Sequence, residues 1–258
     1  MQKMPGVLSK LATTILARHK LLVLSLCANI VLAAGCFLLL SGLQKTYTDY
    51  RHFRSLAIGT SKATSAQPTK SAIVLFGDSR IETWYPDPYS DKYTFINAGV
   101  TGETTTEMRR RFERDVAALN PDYVLIQAGV NDLTAAVTKG IKQPDKLIDT
   151  MQDNLEYFIK SLEQQGIDVI VTSILPAKHL NIKRKLFWHD TLNDEIRRAN
   201  DKLKITTESL SADWLDLDPF FLDESGNPVN ELYFDTLHIN YGGYDVLNEK
   251  VKDYVDNL

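Results

Sequence analysis

From Ser71 onward, short apolar runs alternate with segments in which apolar residues recur every three or four positions. Some runs are almost continuously apolar, which is typical of strands that are buried on both faces of a sheet. The predicted strands are residues 72–76, 123–127 and 167–174, with shorter candidates at 93–96 and 214–217.

The segments between these strands each have one apolar face, which predicts amphipathic helices. Their apolar positions are Met108, Phe112, Val116 and Leu119 in the first segment, Leu147, Met151, Leu155, Phe158 and Leu162 in the second, and Tyr244, Leu247, Val251 and Tyr254 near the end. The alternation predicts an α/β domain whose parallel sheet is covered by helices on both faces. Ligands of such sheets bind beyond the carboxyl ends of the strands, so we expect functional residues directly after the strands.

The N-terminal part of the chain has a different pattern. Residues 21–40 are twenty consecutive positions without a charged side chain, and a helix of that length spans about 30 Å, the thickness of the hydrocarbon core of a bilayer. We therefore predict one transmembrane helix at 21–40. Arg18, His19 and Lys20 directly precede it, which favours a cytoplasmic segment at 1–20 and a remaining chain outside the cytoplasm, periplasmic or extracellular.

Two alternatives to an uncleaved anchor stay open. One is a buried core helix, although such helices usually carry polar residues. The other is a cleaved or lipidated signal, because residues 33–36 (AAGC) loosely resemble a bacterial lipoprotein signal. Against a lipidated signal, Ala33 stands where a larger aliphatic residue is usual, and the apolar run continues past Cys36.

Composition narrows the classes of site that the rest of the chain can hold. Residues 41–70 are predicted to be a flexible linker, because 55–70 are small and polar without periodicity. The folded domain is then 71–258. A formal net charge of −4 gives no general reason to expect nucleic-acid binding. Both cysteines, Cys27 and Cys36, lie in the apolar run, so the folded domain has no disulfide framework, cysteine metal site or cysteine nucleophile.

Gly77, Asp78 and Ser79 follow the first predicted strand. The glycine permits a tight turn, after which Ser79 would lie near unpaired backbone N–H groups that can stabilise an anion. Taken alone, the tripeptide is more typical of an ordinary turn with a helix cap. The segment lacks the further glycines of a dinucleotide-binding loop, and it is not a P-loop.

Glycine and asparagine residues follow the next two strands. Gly99 lies in the segment 97–103, and Asn131 lies in the segment 129–132. An exposed glycine N–H and an asparagine NH₂ are suitable donors to a developing oxyanion, although each segment by itself is more often only a turn.

Near the C-terminus, Asp235 and His238 stand three residues apart, before a helix predicted to begin around Asn240. This spacing lets both side chains project from one turn, where the carboxylate can hold the imidazole in one tautomer and stabilise its protonated form. A surface loop with a helix cap is the alternative. No second Asp or His stands at ligand spacing around His238, so we expect no metal there.

Taken together and in this order, these four segments closely resemble the four sequence blocks of the SGNH hydrolase superfamily, also called the GDSL esterases and lipases. The resemblance extends from about Ile73 to Tyr244. It implies a doubly wound, mostly parallel sheet of about five strands with helices on both faces. For the site, it implies Ser79 as nucleophile, His238 as general base, Asp235 as the partner of His238, and the Ser79 N–H, Gly99 and Asn131 as oxyanion donors.

Two features leave room for interpretation. Arg80 stands where the family often has a leucine, and we expect a half-exposed structural side chain there. The alternative is a cation that biases the site toward anionic substrates. Residues 178–188 are basic and aromatic. They are interpreted as a solvated loop leading into a helix, with a lid that contacts substrate or anionic lipid as the alternative.

The predicted function is that of a membrane-anchored serine esterase. It would work through an acyl-enzyme, need no cofactor, and act on a small-molecule, carbohydrate or lipid ester. One alternative is an exported O-acyltransferase that passes the acyl group to a hydroxyl of envelope carbohydrate. The other is a non-catalytic envelope protein that keeps the fold as a binding module.

Overall fold

The structure, a computed structural model, describes residues 18–42, 71–84, 90–138, 144–178 and 191–258. The chain divides into two units, Met1–Phe53 and Arg54–Leu258. Most of the predicted linker and residues 179–188 of the basic, aromatic stretch lie outside the described residues.

In the first unit, the described residues form one helix, α1 (Arg18–Gly42), which extends past both ends of the predicted segment at 21–40. Its most apolar window has a mean hydropathy of 2.5, and none of that window is buried within the structure. By length and composition α1 can cross a membrane, a property that it shares with secretory signal sequences.

The second unit is built on a five-stranded sheet in the order β2-β1-β3-β4-β5, and every pairing is parallel. The strands are β1 (Ser71–Gly77), β2 (Tyr93–Gly99), β3 (Tyr123–Gln127), β4 (Asp168–Thr172) and β5 (Asp213–Leu215). The predicted α/β class and its five strands are therefore confirmed. β2 extends beyond its predicted end at 96, whereas β4 ends before 174.

Helices cover both faces of this sheet. They are α2 (Ser79–Glu82), α3 (Thr105–Arg109), α4 (Phe112–Asp115), α5 (Val130–Thr138), α6 (Pro144–Glu163), α7 (Leu192–Ser209) and α8 (Tyr241–Val255). Alternate strand residues point to opposite faces. In β1, Val74 and Phe76 belong to one core with α6 and α7, while Ile73 and Leu75 pack in a second core with α8.

The segment predicted as one helix at 108–119 forms three successive pieces: α3, α4 and a 3₁₀ turn. The Arg111 N–H bonds to the carbonyl of Met108, three residues back, at 3.1 Å, and Arg111 has φ −111° and ψ −3°, away from ordinary helical values. Its guanidinium turns inward to the carbonyls of Ala98 and Gly77. The apolar period at 108–119 thus reflects a buried face that the three pieces share, and not one continuous helix.

The carboxyl ends of the three neighbouring strands β2, β1 and β3 lie at one level. Gly77 of β1 pairs with Gly99 of β2 on one side and with Gln127 of β3 on the other. Because β1 sits where the strand order reverses, a crevice opens beyond these ends. The segments that follow all three strands therefore converge on one place.

Candidate active site

The nucleophile turn (residues 77–80) joins β1 to α2. Ser79 is the first residue of α2 and is only 6% exposed. The Asp78 carboxylate caps the helix, because its Oδ1 accepts the Arg80 N–H at 3.0 Å. As a first-turn residue, Ser79 carries a backbone N–H that has no intrahelical acceptor. Helix capping and presentation of the serine therefore coexist in one turn.

Gly77 is required by the closeness of two strands. A Cβ on Gly77 would lie 2.2 Å from the carbonyl oxygen of Gln127 in β3, which no side chain can occupy. The sequence predicts a tight turn at this glycine. In the structure it is the last residue of β1, so the physical reason is packing between strands.

The acid–base loop (residues 233–240) carries Asp235 and His238. The two oxygens of Asp235, Oδ1 and Oδ2, are 3.1 and 3.0 Å from His238 Nδ1. On the other side of the ring, His238 Nε2 is 3.2 Å from Ser79 Oγ. Three predicted site residues that are far apart in the sequence therefore form one line of hydrogen-bonding groups.

Hydrogen bonds determine the ionisation of Asp235. Burial alone would raise its pKa, but the backbone N–H and the imidazole of His238 and the N–H of Leu237 outweigh burial and lower the pKa below its usual range. The N–H groups of Leu237 and His238 donate to Oδ1 at 2.8 and 2.9 Å. The carboxylate is therefore charged near neutral pH, as stabilising an imidazolium requires.

Asn131 opens the segment after β3 and is held by the loop after β2. Its Nδ2 donates to the backbone carbonyl of Glu103 at 3.0 Å. That contact orients the amide and uses one of its two N–H bonds. The neighbouring Asp132 is buried, which raises its pKa to about 6 against hydrogen bonds from Thr105. The Thr105 N–H and Oγ1 donate to it at 2.9 and 2.7 Å.

Gly99, the third predicted oxyanion donor, has another partner. Its N–H donates to Asn97 Oδ1 at 3.0 Å. A Cβ on Gly99 would lie 2.1 Å from the backbone nitrogen of Glu82, so the glycine allows β2 to pass close against α2. These contacts give Gly99 a structural task. The N–H that the resemblance implied as an oxyanion donor is bonded within the chain.

Two residues of this region are not among the predicted site residues. Gly102 has φ 77° in the turn that leads to Glu103, and left-handed backbone of this kind is the usual reason for a glycine. Arg111 is 3% exposed and donates to Glu103 Oε2 at 2.6 Å, to the Ala98 carbonyl at 2.7 Å and to the Gly77 carbonyl at 3.1 Å. The glycine turn was a readable signal. The inward course of Arg111 was not, because an arginine in a helical pattern usually faces solvent.

Arg80 requires a correction. It is 2% exposed, so the expectation of a half-exposed side chain is wrong. Its guanidinium donates to backbone carbonyls inside the protein, which also removes the alternative of a cation presented to substrates.

The chemistry available at this edge of the sheet follows from the groups that it brings together. A serine hydroxyl is in contact with an imidazole, and the imidazole is held by a carboxylate, which is the arrangement that activates a serine for acyl transfer. Among the described residues, no group of three or more His, Cys, Asp or Glu side chains could hold a metal ion.

The chain is similar to a known protein family over most of its length. A family model described as the GDSL-like lipase/acylhydrolase family matches residues 55–246. That range includes Ser79, Asn131, Asp235 and His238, and it begins within the predicted linker at 41–70.

Solved structures with the same fold include a GDSL-like lipase from Bacteroides thetaiotaomicron. It has a TM-score of 0.64 and 24% identity, with 79% of this chain and 97% of that chain covered. An acetyl xylan esterase, AlAXEase, has a TM-score of 0.60 and 22% identity over 71% of this chain and 99% of that chain.

A curated relative is an uncharacterized lipoprotein of Bacillus subtilis strain 168, YqeF. It is 31% identical over an alignment of 128 positions, and the match covers 43% of this chain and 51% of the relative. The chain thus spans about half the length of this relative.

Proposed function

The chain belongs to the GDSL-like lipase/acylhydrolase family, a family of ester-hydrolysing enzymes, and from this premise we propose that it is a serine esterase with Ser79, His238 and Asp235 as its catalytic triad. One observation carries the proposal: the line of contacts from Ser79 Oγ through the imidazole of His238 to the carboxylate of Asp235. A serine hydroxyl is a weak nucleophile without a base, and this line supplies both the base and the group that orients it.

The reaction begins when Ser79 Oγ attacks the ester carbonyl carbon and gives its proton to His238 Nε2. The oxyanion of the tetrahedral intermediate receives hydrogen bonds from the Ser79 N–H and from Asn131 Nδ2. When the intermediate collapses, the alcohol leaves with the proton from His238. Water then attacks the acyl-enzyme with His238 again as base, which releases the acid and regenerates Ser79.

Asp235 acts through His238 in this scheme. The lowered pKa of its carboxyl keeps it charged while the imidazole gains a proton, and its contact with Nδ1 leaves Nε2 directed at Ser79. A Gly99 contribution to the oxyanion would require the bond from its N–H to Asn97 Oδ1 to open when substrate binds. We therefore assign the oxyanion to Ser79 and Asn131 first.

Water is the proposed acyl acceptor. The side chains of His238 and Asp235 are 41% and 34% exposed, so solvent reaches the base that must activate the second nucleophile. The acetyl xylan esterase among the structures of the same fold makes an acetylated carbohydrate a reasonable first substrate class to test. The proposed substrate is thus a small acyl ester of a carbohydrate or lipid.

The proposed location is at a membrane, with α1 as a single-pass anchor and the catalytic unit outside the cytoplasm. Support comes from the hydropathy of α1, the basic residues directly before its apolar part and the lipoprotein relative. Protease added to intact spheroplasts should digest the catalytic unit and spare a cytosolic control protein. Full protection of the catalytic unit would overturn this topology.

Hydrolysis of p-nitrophenyl acetate by the full chain in detergent tests the esterase proposal. Wild type should release p-nitrophenol catalytically, and Ser79→Ala should lower kcat by at least about 10³-fold, since no other nucleophile is proposed. Ser225→Ala, at an exposed serine, is the matched control and should retain wild-type turnover. A Ser79→Ala protein that folds and turns over at the wild-type rate would contradict the proposal.

A further inference from the structure

The guanidinium of Arg80 is a buried cation whose hydrogen bonds, among the described residues, go to backbone carbonyls. Its side chain is among the largest fully buried ones of the protein. Nε donates to the Leu237 carbonyl at 2.9 Å, Nη1 to the Leu175 carbonyl at 2.9 Å, and Nη2 to the Pro176 carbonyl at 3.4 Å. A guanidinium presents its donors in a rigid, planar fork, so several simultaneous bonds fix its position closely.

These carbonyls lie on two different loops. Leu175 and Pro176 belong to the segment after β4, whereas Leu237 lies in the acid–base loop, immediately before His238. The same loops also touch through the Lys178 N–H, which donates to the Thr236 carbonyl at 2.8 Å. The segment after β4 is therefore the support against which the acid–base loop is held.

The backbone of Arg80 is itself fixed on both sides. Its N–H donates to Asp78 Oδ1 at 3.0 Å, and its carbonyl accepts the Tyr244 hydroxyl of α8 at 2.9 Å. Arg80 is bonded covalently to Ser79, and its side chain bonds to the residue beside His238. One arginine thus connects the nucleophile to the acid–base loop by a single hydrogen bond.

We propose that Arg80 is a positioning residue, which holds the acid–base loop in register with the nucleophile turn and so maintains the contact between His238 Nε2 and Ser79 Oγ. The proposal rests on the triad proposed above. Arg80 does not touch the substrate, because it is 2% exposed. Its loss acts through His238, and displacements of about 1 Å in a catalytic group can cost about 10²-fold in rate.

The variants Arg80→Leu and Arg80→Lys separate this role from folding. Leucine removes the buried charge together with the hydrogen bonds and leaves the carbonyl acceptors without that donor, so the melting temperature of the variant is measured beside its activity. Lysine keeps the charge but cannot span the same carbonyls as a planar fork. In the full chain in detergent, both variants should lower kcat on p-nitrophenyl acetate by about 10- to 100-fold, with KM changed by less than about threefold. Arg110→Leu, at an exposed arginine, should match wild type.

A double-mutant cycle with His238→Ala gives the decisive readout. If Arg80 acts through His238, Arg80→Leu should lower the residual activity of His238→Ala by less than about twofold, because the group being positioned is already absent. Equal losses in both backgrounds would show a general structural effect and overturn the proposal, as would a fully active Arg80→Leu. A fully active His238→Ala would overturn the triad itself, and the role of Arg80 with it.

Discussion

Ser79 and His238 face each other across 3.2 Å, yet the regions that hold them are built differently. The nucleophile turn continues a strand of the parallel sheet that has a strand on either side, and Ser79 is 6% exposed. In the acid–base loop, regular pairing amounts to one bridge between Tyr233 and Ile239, and the side chain of His238 is 41% exposed.

The difference concerns what a substitution damages first. Around the nucleophile turn, backbones approach so closely that side chains cannot be added at Gly77 or Gly99, so substitutions of these glycines act on the fold. The acid–base loop is fixed by individual hydrogen bonds. Arg80 Nε and the Lys178 N–H donate to its carbonyls, and within the loop the His238 N–H donates to Asp235 Oδ1. Changes in that loop should act on turnover while the sheet stays folded.

The largest effect on the acid–base side is expected from His238→Ala. Loss of the base should lower kcat by about 10³-fold or more, with a melting temperature close to that of wild type. The decrease in kcat should be roughly 10- to 100-fold smaller for Asp235→Asn than for His238→Ala. This substitution removes the charge that stabilises the imidazolium but keeps the base.

The pH profile of kcat/KM distinguishes the loss of the base in His238→Ala from a folding defect. Wild-type kcat/KM should rise with pH, because only the unprotonated imidazole accepts the serine proton. The residual activity of His238→Ala should lack that limb. Unfolding of His238→Ala at the assay temperature would place the loop with the fold and contradict the comparison.

Asn131→Ala should have the next largest effect. Loss of one oxyanion donor typically lowers kcat by about 10²–10³-fold, and KM should change little because the interaction forms in the transition state. Measurement of both constants on p-nitrophenyl acetate checks this. A folded variant with wild-type kcat would remove Asn131 from the mechanism.

Gly99→Ala tests the closely packed region around the nucleophile turn. The added Cβ would lie 2.1 Å from the Glu82 backbone nitrogen, so the free energy of unfolding should fall by about 2–3 kcal/mol. Gly242→Ala is the control, because the nearest atom to its Cβ is 3.4 Å away and alanine favours a helix. Gly99→Ala with unchanged stability and a lower kcat would return Gly99 to the oxyanion site.

The smallest effect concerns the pH dependence of stability. Burial raises the pKa of Asp132 to about 6, above its value in an unfolded chain. The folded protein therefore binds this proton more tightly than the unfolded chain does. The favourable contribution of Asp132 to the free energy of unfolding is present below pH 4 and is lost as pH rises from about 4 to 6. The loss is on the order of 1–3 kcal/mol.

Asp132→Asn should remove this loss. Urea unfolding at pH 4 and pH 7 should therefore show a smaller decrease in stability for the variant than for wild type. Asp218, whose pKa burial raises to about 6, is present in both proteins and cancels in the difference. The charge of Asp78 contributes to the raised pKa of Asp132 and is part of the effect being tested. Equal decreases in the two proteins would contradict the assignment.

The parts of the fold that the sequence predicted are those in which one physical signal dominates. Near-continuous apolar runs identified β1, β3 and β4, because strands buried on both faces are mostly apolar. The helix at 192–209 was predicted only as a helix after the loop 178–188, without bounds, although Leu192, Ile196, Ala199 and Leu203 mark its buried face. The break between α3 and α4 was not predictable from the apolar period at 108–119, because it depends on the inward direction of the Arg111 side chain.

The candidate site shows the same division. Resemblance to known sequence blocks was needed to connect Ser79 with His238, because no local pattern relates residues so far apart. The burial of Arg80 could not be predicted, since its carbonyl partners come from two loops without a sequence signature. The bond from Gly99 to Asn97 likewise depends on three-dimensional geometry that the glycine alone does not reveal.

Covalent labelling with a fluorophosphonate tests most directly the claim that Ser79 is a nucleophile activated by His238. The reagent phosphonylates an activated serine, and intact mass followed by peptide mapping locates the adduct. Wild type should gain one adduct per chain on the peptide that contains Ser79, Ser79→Ala should gain none, and His238→Ala should be labelled at least about 10²-fold more slowly. A stoichiometric adduct on Ser79→Ala would contradict the account, and so would folded wild type that forms no adduct.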